Sequence, residues 1–178
     1  LEDREDYYPS AALLHLGAML RSNDYEPVIV DLNNSVVHAQ RENYLEYSKK
    51  IIIKSLNEHK PELVGINCLF SGTFPDVIKF AQIVKSHAPD TKVAIGGIHP
   101  TSFSKEILSN CKDIDYISIG EGENTIVALA ASIKAKNEKL LSHIKSFAYR
   151  NKDGEVKINR EKNYIEDLDS LPMPAWDL

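Results

Sequence analysis

The sequence predicts an α/β fold in which a parallel sheet carries helices on both faces. Short apolar runs rich in β-branched residues alternate with longer segments whose apolar residues recur at helical spacing. Two of these runs, 92–95 and 116–119, lead directly into glycine-bearing turns, as buried strands of a parallel sheet often do. Ligands bind beyond the carboxyl ends of such strands, so these turns mark the edge at which we expect a site.

The composition narrows the class of protein. The chain has 178 residues, of which 43% are hydrophobic, enough for one domain with a core. Its net charge is -5 and its basic residues do not cluster, so we expect no nucleic-acid partner. The longest apolar stretch, 11–20, is shorter than the roughly 20 residues that cross a bilayer, so no membrane span is expected. Cys68 and Cys111 lack Cys-x-x-Cys spacing, which favours a reducing cytoplasm and offers no metal site.

The first elements are predicted from capping residues and periodicity. A helix is expected over 10–22, where Ser10 stands as N-cap and leucines follow at helical spacing. The Val- and Ile-rich run 26–32 predicts a strand, which turn residues end. Helical periodicity returns over 42–59, and Pro61 closes that segment.

The alternation then continues with a buried strand over 63–69 and a helix over 74–87. In this helix an apolar stripe with i, i+3, i+4, i+7 spacing is expected to face the core. The stripe consists of Val77, Phe80, Ala81 and Val84. The remaining predicted elements are the strands 92–95 and 116–119 and helices over about 104–110 and 123–136.

The pattern changes after Ser142. The runs 147–150 and 156–158 flank the turn residues 151–154, which predicts an antiparallel hairpin at the edge of the sheet. The stretch 166–178 has two prolines and no periodicity, so it is expected to be an extended linker. We therefore expect an α/β domain over 1–145, a hairpin appendage over 146–160 and a linker over 161–178.

Three loops after the predicted strands carry the candidate ligand-binding residues. Gly96 and Gly97 lack Cβ atoms, so a bulky flat group could lie against their main chain, although a tight turn would equally explain them. Thr73 would equally cap the following helix. His99 beside a proline is expected to form hydrogen bonds rather than bind a metal. The candidates are Ser71, Gly72, Thr73, Gly96, Gly97, His99, Thr101, Gly120, Glu121, Gly122 and Glu123.

A dinucleotide site is not expected at the third loop. Gly120 and Gly122 have the spacing of the first two glycines of a dinucleotide fingerprint, but the third glycine is missing. The carboxylates of Glu121 and Glu123 would repel a pyrophosphate. Asp31 precedes these glycine loops, whereas the ribose-binding acid should follow one.

As a set, these residues resemble the cobalamin-binding domain that precedes the catalytic barrel in cobalamin-dependent radical S-adenosylmethionine enzymes, a flavodoxin- or Rossmann-like fold. Residues 64–69 are similar to the family's Val-Gly-Ile-Ser-x-Leu strand, and 95–101 to its Gly-Gly-x-His-Pro loop. Residues 120–123 look like its last loop and 167–178 like the connector to the radical barrel. The resemblance adds Asn67, Leu69 and Pro100 to the expected cofactor-binding residues.

The resemblance implies a binding module without catalytic residues of its own, which presents cobalt to a radical barrel that this chain lacks. The intact enzyme, of methyltransferase or cyclase type, would also hold a 4Fe-4S cluster and S-adenosylmethionine. This chain has no Cys-x-x-x-Cys-x-x-Cys motif, so it is not expected to perform radical chemistry alone. It also lacks Asp-x-His-x-x-Gly, so cobalamin is expected with its base displaced and no protein histidine on cobalt.

Two further departures concern the pocket. Asn67 stands where the family usually has serine, a larger hydrogen-bonding group. The family's first strand, central in the order 2-1-3-4-5, would lie before Tyr7, but residues 1–6 are too few and too charged to form it. We therefore expect that strand to be missing and a sheet edge to be exposed.

The chemistry of a corrin fits this set of residues. A corrin is a broad, largely apolar disc fringed by amides, so its site needs small residues with neutral donors and acceptors around them. The alternative is a flavodoxin-like or receiver-like regulatory domain that binds a partner protein without cobalamin. A receiver domain needs an acidic cluster at one strand end and a phosphorylated aspartate at the next. Here Asp31 is a single acidic residue, and Asn67 with Cys68 stands where that aspartate would be, which disfavours a receiver. For a flavin site, 71–73 is a poor phosphate loop.

Overall fold

The computed structural model describes residues 10–32 and 43–178. Five helices and five strands alternate along most of this length. The helices are α1 Ala11–Arg21, α2 Tyr44–His59, α3 Phe74–His87, α4 Ile98–Asn110 and α5 Glu123–Lys134. The strands are β1 Leu63–Asn67, β2 Lys92–Gly96, β3 Tyr116–Ser118, β4 Phe147–Arg150 and β5 Val156–Asn159. Short 3-10 turns cover Ser71–Thr73, Glu138–His143 and Leu168–Ser170.

The strands form one mixed sheet in the order β1-β2-β3-β4-β5. The first three are parallel, and β4 and β5 continue the sheet as antiparallel strands. The predicted hairpin therefore forms and is hydrogen-bonded to β3, where Ser118 pairs with Phe147. Because the hairpin is part of the sheet, Phe147 and Ala148 are fully buried. The α/β fold class is confirmed.

Helices cover both faces of the sheet, as predicted. On β2, Val93 and Ile95 pack into a core with residues of α2, α3 and α4. Between them, Ala94 points to the opposite face and packs with Leu129 of α5. This alternation is the period of two that a strand imposes on its side chains. The stripe predicted on α3 is buried in full, so periodicity located that face correctly.

The strand predicted over 26–32 is wrong. Residues 25–31 have no regular secondary structure, and Val28 is half exposed. High β propensity becomes a strand only where a neighbouring strand supplies hydrogen bonds. In the expected strand order this segment would pair with the first strand, and within the described residues no strand lies beside it.

Helix α4 begins six residues earlier than the predicted 104–110. Gly97 adopts φ 113°, which turns the chain sharply from β2 into the helix. Pro100 fits the first turn, where an N–H has no partner to lose. Phe103 interrupts the regular helix with φ -123° and ψ 27°, so only the part after this kink was predicted.

Residues 161–178, which we call the connector, pack on the domain. Ala175 is 1% exposed, and its N–H donates to the Leu14 carbonyl of α1 over 3.2 Å. Arg21 donates twice to the Asp177 carboxylate, over 2.6 and 2.9 Å. The segment has no α-helix or strand, contains the 3-10 turn Leu168–Ser170, and follows a defined path back to α1.

No helix within the described ranges is both long and apolar enough to cross a membrane.

Candidate cofactor site

The carboxyl ends of the three parallel strands meet at one edge, where their last residues form a row. Asn67 lies opposite Gly96, and the register of β2 with β3 places Gly96 beside Ser118. A Cβ at Gly96 would lie 3.6 Å from the Ser118 Cβ, so small groups occupy the middle of this row. Asn67 Nδ2 lies 3.5 Å from the Ser10 Oγ, immediately before α1.

Ser118 and Glu123 each bury a polar atom at this end of the sheet. Ser118 Oγ and Glu123 Oε2 have no hydrogen-bond partner among the described residues. Both flank Gly122, whose Cβ position would lie 3.6 Å from Ser118 Oγ. A buried polar atom without a partner loses its hydration, so this part of the edge has spare hydrogen-bonding capacity for a ligand.

The glycines of the three loops have different roles. A Cβ at Gly97 would lie 2.4 Å from the Cys68 carbonyl oxygen, so this glycine allows the loop to approach β1. Gly72 and Gly120 have no atom within 4 Å of their Cβ positions. Gly97 is thus required by the fold, whereas Gly72 and Gly120 leave open surface at the edge.

His99 joins the loop after β1 to the start of α4. Its Nδ1 lies 2.9 Å from the Ser71 Oγ. The ring packs against Phe74 and Phe103 in tilted arrangements, with centroid separations of 4.4 and 4.9 Å. The ring position is therefore fixed by packing on two sides and by one hydrogen bond.

Thr101 joins the second loop to the third. The Gly120 N–H donates to Thr101 Oγ1 over 2.9 Å. In the first loop, Thr73 Oγ1 donates to the Phe70 carbonyl over 2.9 Å and makes no capping bond to α3. The polar side chains of the edge thus tie its loops together.

Glu121 points away from the other loops. Its Oε2 accepts a hydrogen bond from the Ile165 N–H of the connector over 2.7 Å. Gly122 packs on α1, where its Cβ position lies 3.3 Å from the Leu16 Cδ2. The predicted site residues therefore divide into an exposed group around Ser71, Thr101 and Gly120 and a second group facing α1 or the connector.

Large apolar side chains are exposed beside these loops, and of these only Leu69 was predicted from the sequence as a site residue. Leu69 is 40% exposed, Phe70 67%, Ile98 68% and Phe103 47%. Their positions after β1 and β2 could have indicated this exposure, because large apolar side chains beyond a strand end lie outside the core. Together with the neutral loops they give the edge a mixed apolar and amide-rich surface.

Cys68 is a thiol at this edge of the sheet. Cys68 is fully buried at the end of β1, and desolvation raises the pKa of its thiol, opposed by a hydrogen bond involving Thr73. The thiol is therefore neutral near pH 7. Among the described residues, no three histidine, cysteine or acidic side chains are grouped to hold a metal ion.

The model of the B12 binding domain family matches residues 2–130. The chain belongs to this family of B12-binding domains. The match covers the row at the strand ends and all three loops, and it confirms the cobalamin-binding interpretation of the sequence. It disfavours the alternative of a flavodoxin-like or receiver-like regulatory domain.

Relatives of this B12-binding domain are much longer proteins. It is 27% identical to cytidylyl-2-hydroxyethylphosphonate methyltransferase of Streptomyces wedmorensis, over 95% of this chain and 36% of that protein. It is 27% identical to the anaerobic magnesium-protoporphyrin IX monomethyl ester cyclase of Rubrivivax gelatinosus, over 96% of this chain and 29% of that protein. The chain thus spans about a third of the relatives that it matches.

The fold has a counterpart among solved structures. The cobalamin-dependent S-adenosylmethionine radical enzyme OxsB, with aqua-cobalamin and S-adenosylmethionine bound, superposes with a TM-score of 0.73 at 19% identity. The superposition covers 95% of this chain and 22% of OxsB. At this identity the likeness establishes the shared fold.

Proposed function

We propose that this chain is the cobalamin-holding part of a larger radical enzyme and that it presents cobalt to a catalytic barrel in the same polypeptide. The support is the family match together with relatives that are methyltransferases and cyclases of about three times this length. The intact protein would then be a methyltransferase or cyclase. Its 4Fe-4S cluster and S-adenosylmethionine would belong to the barrel.

Cobalamin would lie on the three loops at the carboxyl edge. The observation that carries this proposal is the meeting of open glycines with exposed apolar side chains at one edge. Gly72 and Gly120 leave room for a flat group, and Phe70 and Ile98 offer apolar contact to it. The neutral amides around a corrin need donors and acceptors rather than charged clamps. When bound, cobalamin supplies a cobalt centre that can carry a methyl group or an electron.

The row at the strand ends would contact the displaced nucleotide tail. Ser118 has a buried hydroxyl without a partner among the described residues, which suits a ligand hydrogen bond. Asn67 contributes a carboxamide at the other end of the row, where its Nδ2 lies 3.5 Å from the Ser10 Oγ. Gly96 lies between them and keeps the middle of the row shallow.

No protein histidine is proposed on cobalt. The sequence has no Asp-x-His-x-x-Gly motif, which carries the cobalt-ligating histidine in other cobalamin-binding domains. His99 packs against Phe74 and Phe103, and its Nδ1 lies 2.9 Å from the Ser71 Oγ. Its role would be to fix the first loop against α4.

Cys68 and Cys111 are free thiols, in keeping with a protein of the cytoplasm.

The direct test is titration of the chain with hydroxocobalamin under reducing conditions, followed by visible absorption and by electron paramagnetic resonance of the Co(II) form. We expect saturable binding and a Co(II) signal without nitrogen splitting from an axial ligand. An unchanged spectrum with protein that is folded by circular dichroism would contradict the proposed binding. Nitrogen splitting would contradict the proposed state of cobalt.

A further inference from the structure

The first part of the connector is held to the domain at every second residue. Ser146 donates to the Glu161 carbonyl from its N–H over 2.9 Å and from its Oγ over 3.1 Å. Asn163 Nδ2 donates to Thr125 Oγ1 over 3.4 Å, and the Ile165 N–H donates to Glu121 Oε2 over 2.7 Å. The residues between them face outward, and Tyr164 is 66% exposed. This segment therefore follows the domain as an extended strand would, with alternate residues inward.

The far end of the connector is fixed on α1. Ala175 is buried, its N–H donates to Leu14 O, and Asp177 accepts two hydrogen bonds from Arg21. Leu178 lies over Gly17, where its Cδ1 would be 2.8 Å from an added Cβ. The connector is thus held at both ends.

Glu121 is the contact that joins the connector to the cofactor edge. It belongs to the loop after β3, in which the Gly120 N–H donates to Thr101. The Glu121 carboxylate points from this loop to the connector and accepts a hydrogen bond from the Ile165 N–H. A hydrogen bond to a charged acceptor is stronger than one between neutral groups, so this contact is well suited to hold a backbone segment.

We propose that Glu121 is a positioning residue that fixes the path of the connector relative to the cofactor edge, and thereby the placement of the domain that follows it. This inference rests on the proposed function for its consequence, but the contact itself does not depend on cobalamin. The sequence predicts Glu121 as a cofactor contact, and in the fold its carboxylate accepts the Ile165 N–H of the connector.

The test measures hydrogen exchange at the Ile165 amide in the full chain. Glu121→Ala removes the acceptor, so exchange should accelerate about tenfold or more. Glu121→Gln keeps a carbonyl acceptor and should remain within about threefold of the unmodified chain. Glu161→Ala is the matched control, because it removes a connector carboxylate whose side chain pairs with exposed Lys145. Hydroxocobalamin affinity is measured alongside and should stay within about twofold for Glu161→Ala, which lies outside the three loops.

Unchanged exchange in Glu121→Ala would overturn the inference, and so would a loss of cobalamin affinity without faster exchange. A second variant, Ile165→Pro, deletes the donor and should speed trypsin cleavage after Lys162. Adding Glu121→Ala to Ile165→Pro should give no further acceleration if the two groups act through one bond. A further acceleration would also overturn it. If the chain binds no cobalamin, the exchange and cleavage results still decide whether Glu121 holds the connector.

Discussion

The Nδ1 atom of His99 lies 2.9 Å from the Ser71 Oγ, which joins the loop after β1 to the first turn of α4. Ser71 follows β1 and His99 follows β2, so the two residues come from neighbouring parallel strands. The loop of Ser71 also contains Gly72, whose Cβ position has no atom within 4 Å. The bond therefore sets the separation of two walls of the proposed cobalamin site.

Replacing His99 with phenylalanine should weaken cobalamin binding about fivefold, because an aromatic ring still packs against Phe74 and Phe103 but one hydrogen bond is lost. Isothermal titration with hydroxocobalamin measures the change. His87→Phe is the matched control, since its Nε2 lies 2.8 Å from Asn57 Oδ1 on helices that end at the opposite edge. Equal losses in both variants would show that the His99 bond has no special relation to the site.

Gly97→Ala should destabilise the fold by about 3 kcal/mol or prevent folding. The added Cβ would lie 2.4 Å from the Cys68 carbonyl oxygen, and the residue would keep φ 113°. Urea unfolding followed by circular dichroism gives the free energy. Gly72→Ala is the control, because its Cβ position meets no atom within 4 Å. A Gly97→Ala chain as stable as Gly72→Ala would contradict the close approach of this loop to β1.

Arg150 connects the hairpin to the end of α4. Its guanidinium donates to the carbonyls of Leu108 over 2.7 Å, Cys111 over 3.4 Å, Lys112 over 3.2 Å and Ile114. Arg150→Lys loses the planar fork that reaches these acceptors, so we expect a loss of about 2 kcal/mol in the free energy of unfolding. Arg160→Lys on the exposed surface should change it by less than about 0.5 kcal/mol. Equal stability of the two variants would refute this role.

Tyr116 should make the fold sensitive to alkali. Burial, with smaller contributions from Asp115 and Glu138, raises the pKa of its phenol to about 12. Since the folded pKa exceeds the unfolded value, the neutral phenol stabilises the fold below pH 10, and this contribution is lost as the pH rises towards 12. Between pH 9 and 11.5, Tyr116→Phe should lose about 1 to 2 kcal/mol less stability than the unmodified chain. Exposed Tyr164→Phe should behave as the unmodified chain does, and identical pH profiles for all three would contradict the prediction.

Periodicity within a short segment correctly predicted the helices, because helical hydrogen bonds join residues that are close in sequence. The α3 stripe was found because Val77 and Val84 repeat with the period of a helix. The strand at 26–32 failed because β propensity cannot report whether a neighbouring strand is present. The start of α4 was missed because Pro100 was interpreted as part of a loop, although a proline suits a first helical turn.

The meeting of three loops at one edge could be predicted from the glycines that follow each strand, while their part in binding stays a prediction. The contact of Glu121 with Ile165 could not be predicted, because the two residues are 44 positions apart and Ile165 donates from the backbone. The packing of the connector on α1 could not be predicted for the same reason, since Arg21 and Asp177 are 156 residues apart. As large apolar residues that follow strands, Phe70 and Ile98 were only a weak indication of the exposed apolar surface at this edge.

The central claim is that cobalamin binds at the carboxyl edge of the parallel strands. Hydrogen exchange of the chain with and without hydroxocobalamin tests it most directly, because protection locates the ligand along the backbone. The account predicts slower exchange in the loops 69–73, 96–101 and 120–123, and unchanged exchange in 57–62 and 87–92 at the opposite edge. Protection confined to the opposite edge, or no protection in folded protein at saturating hydroxocobalamin, would contradict it.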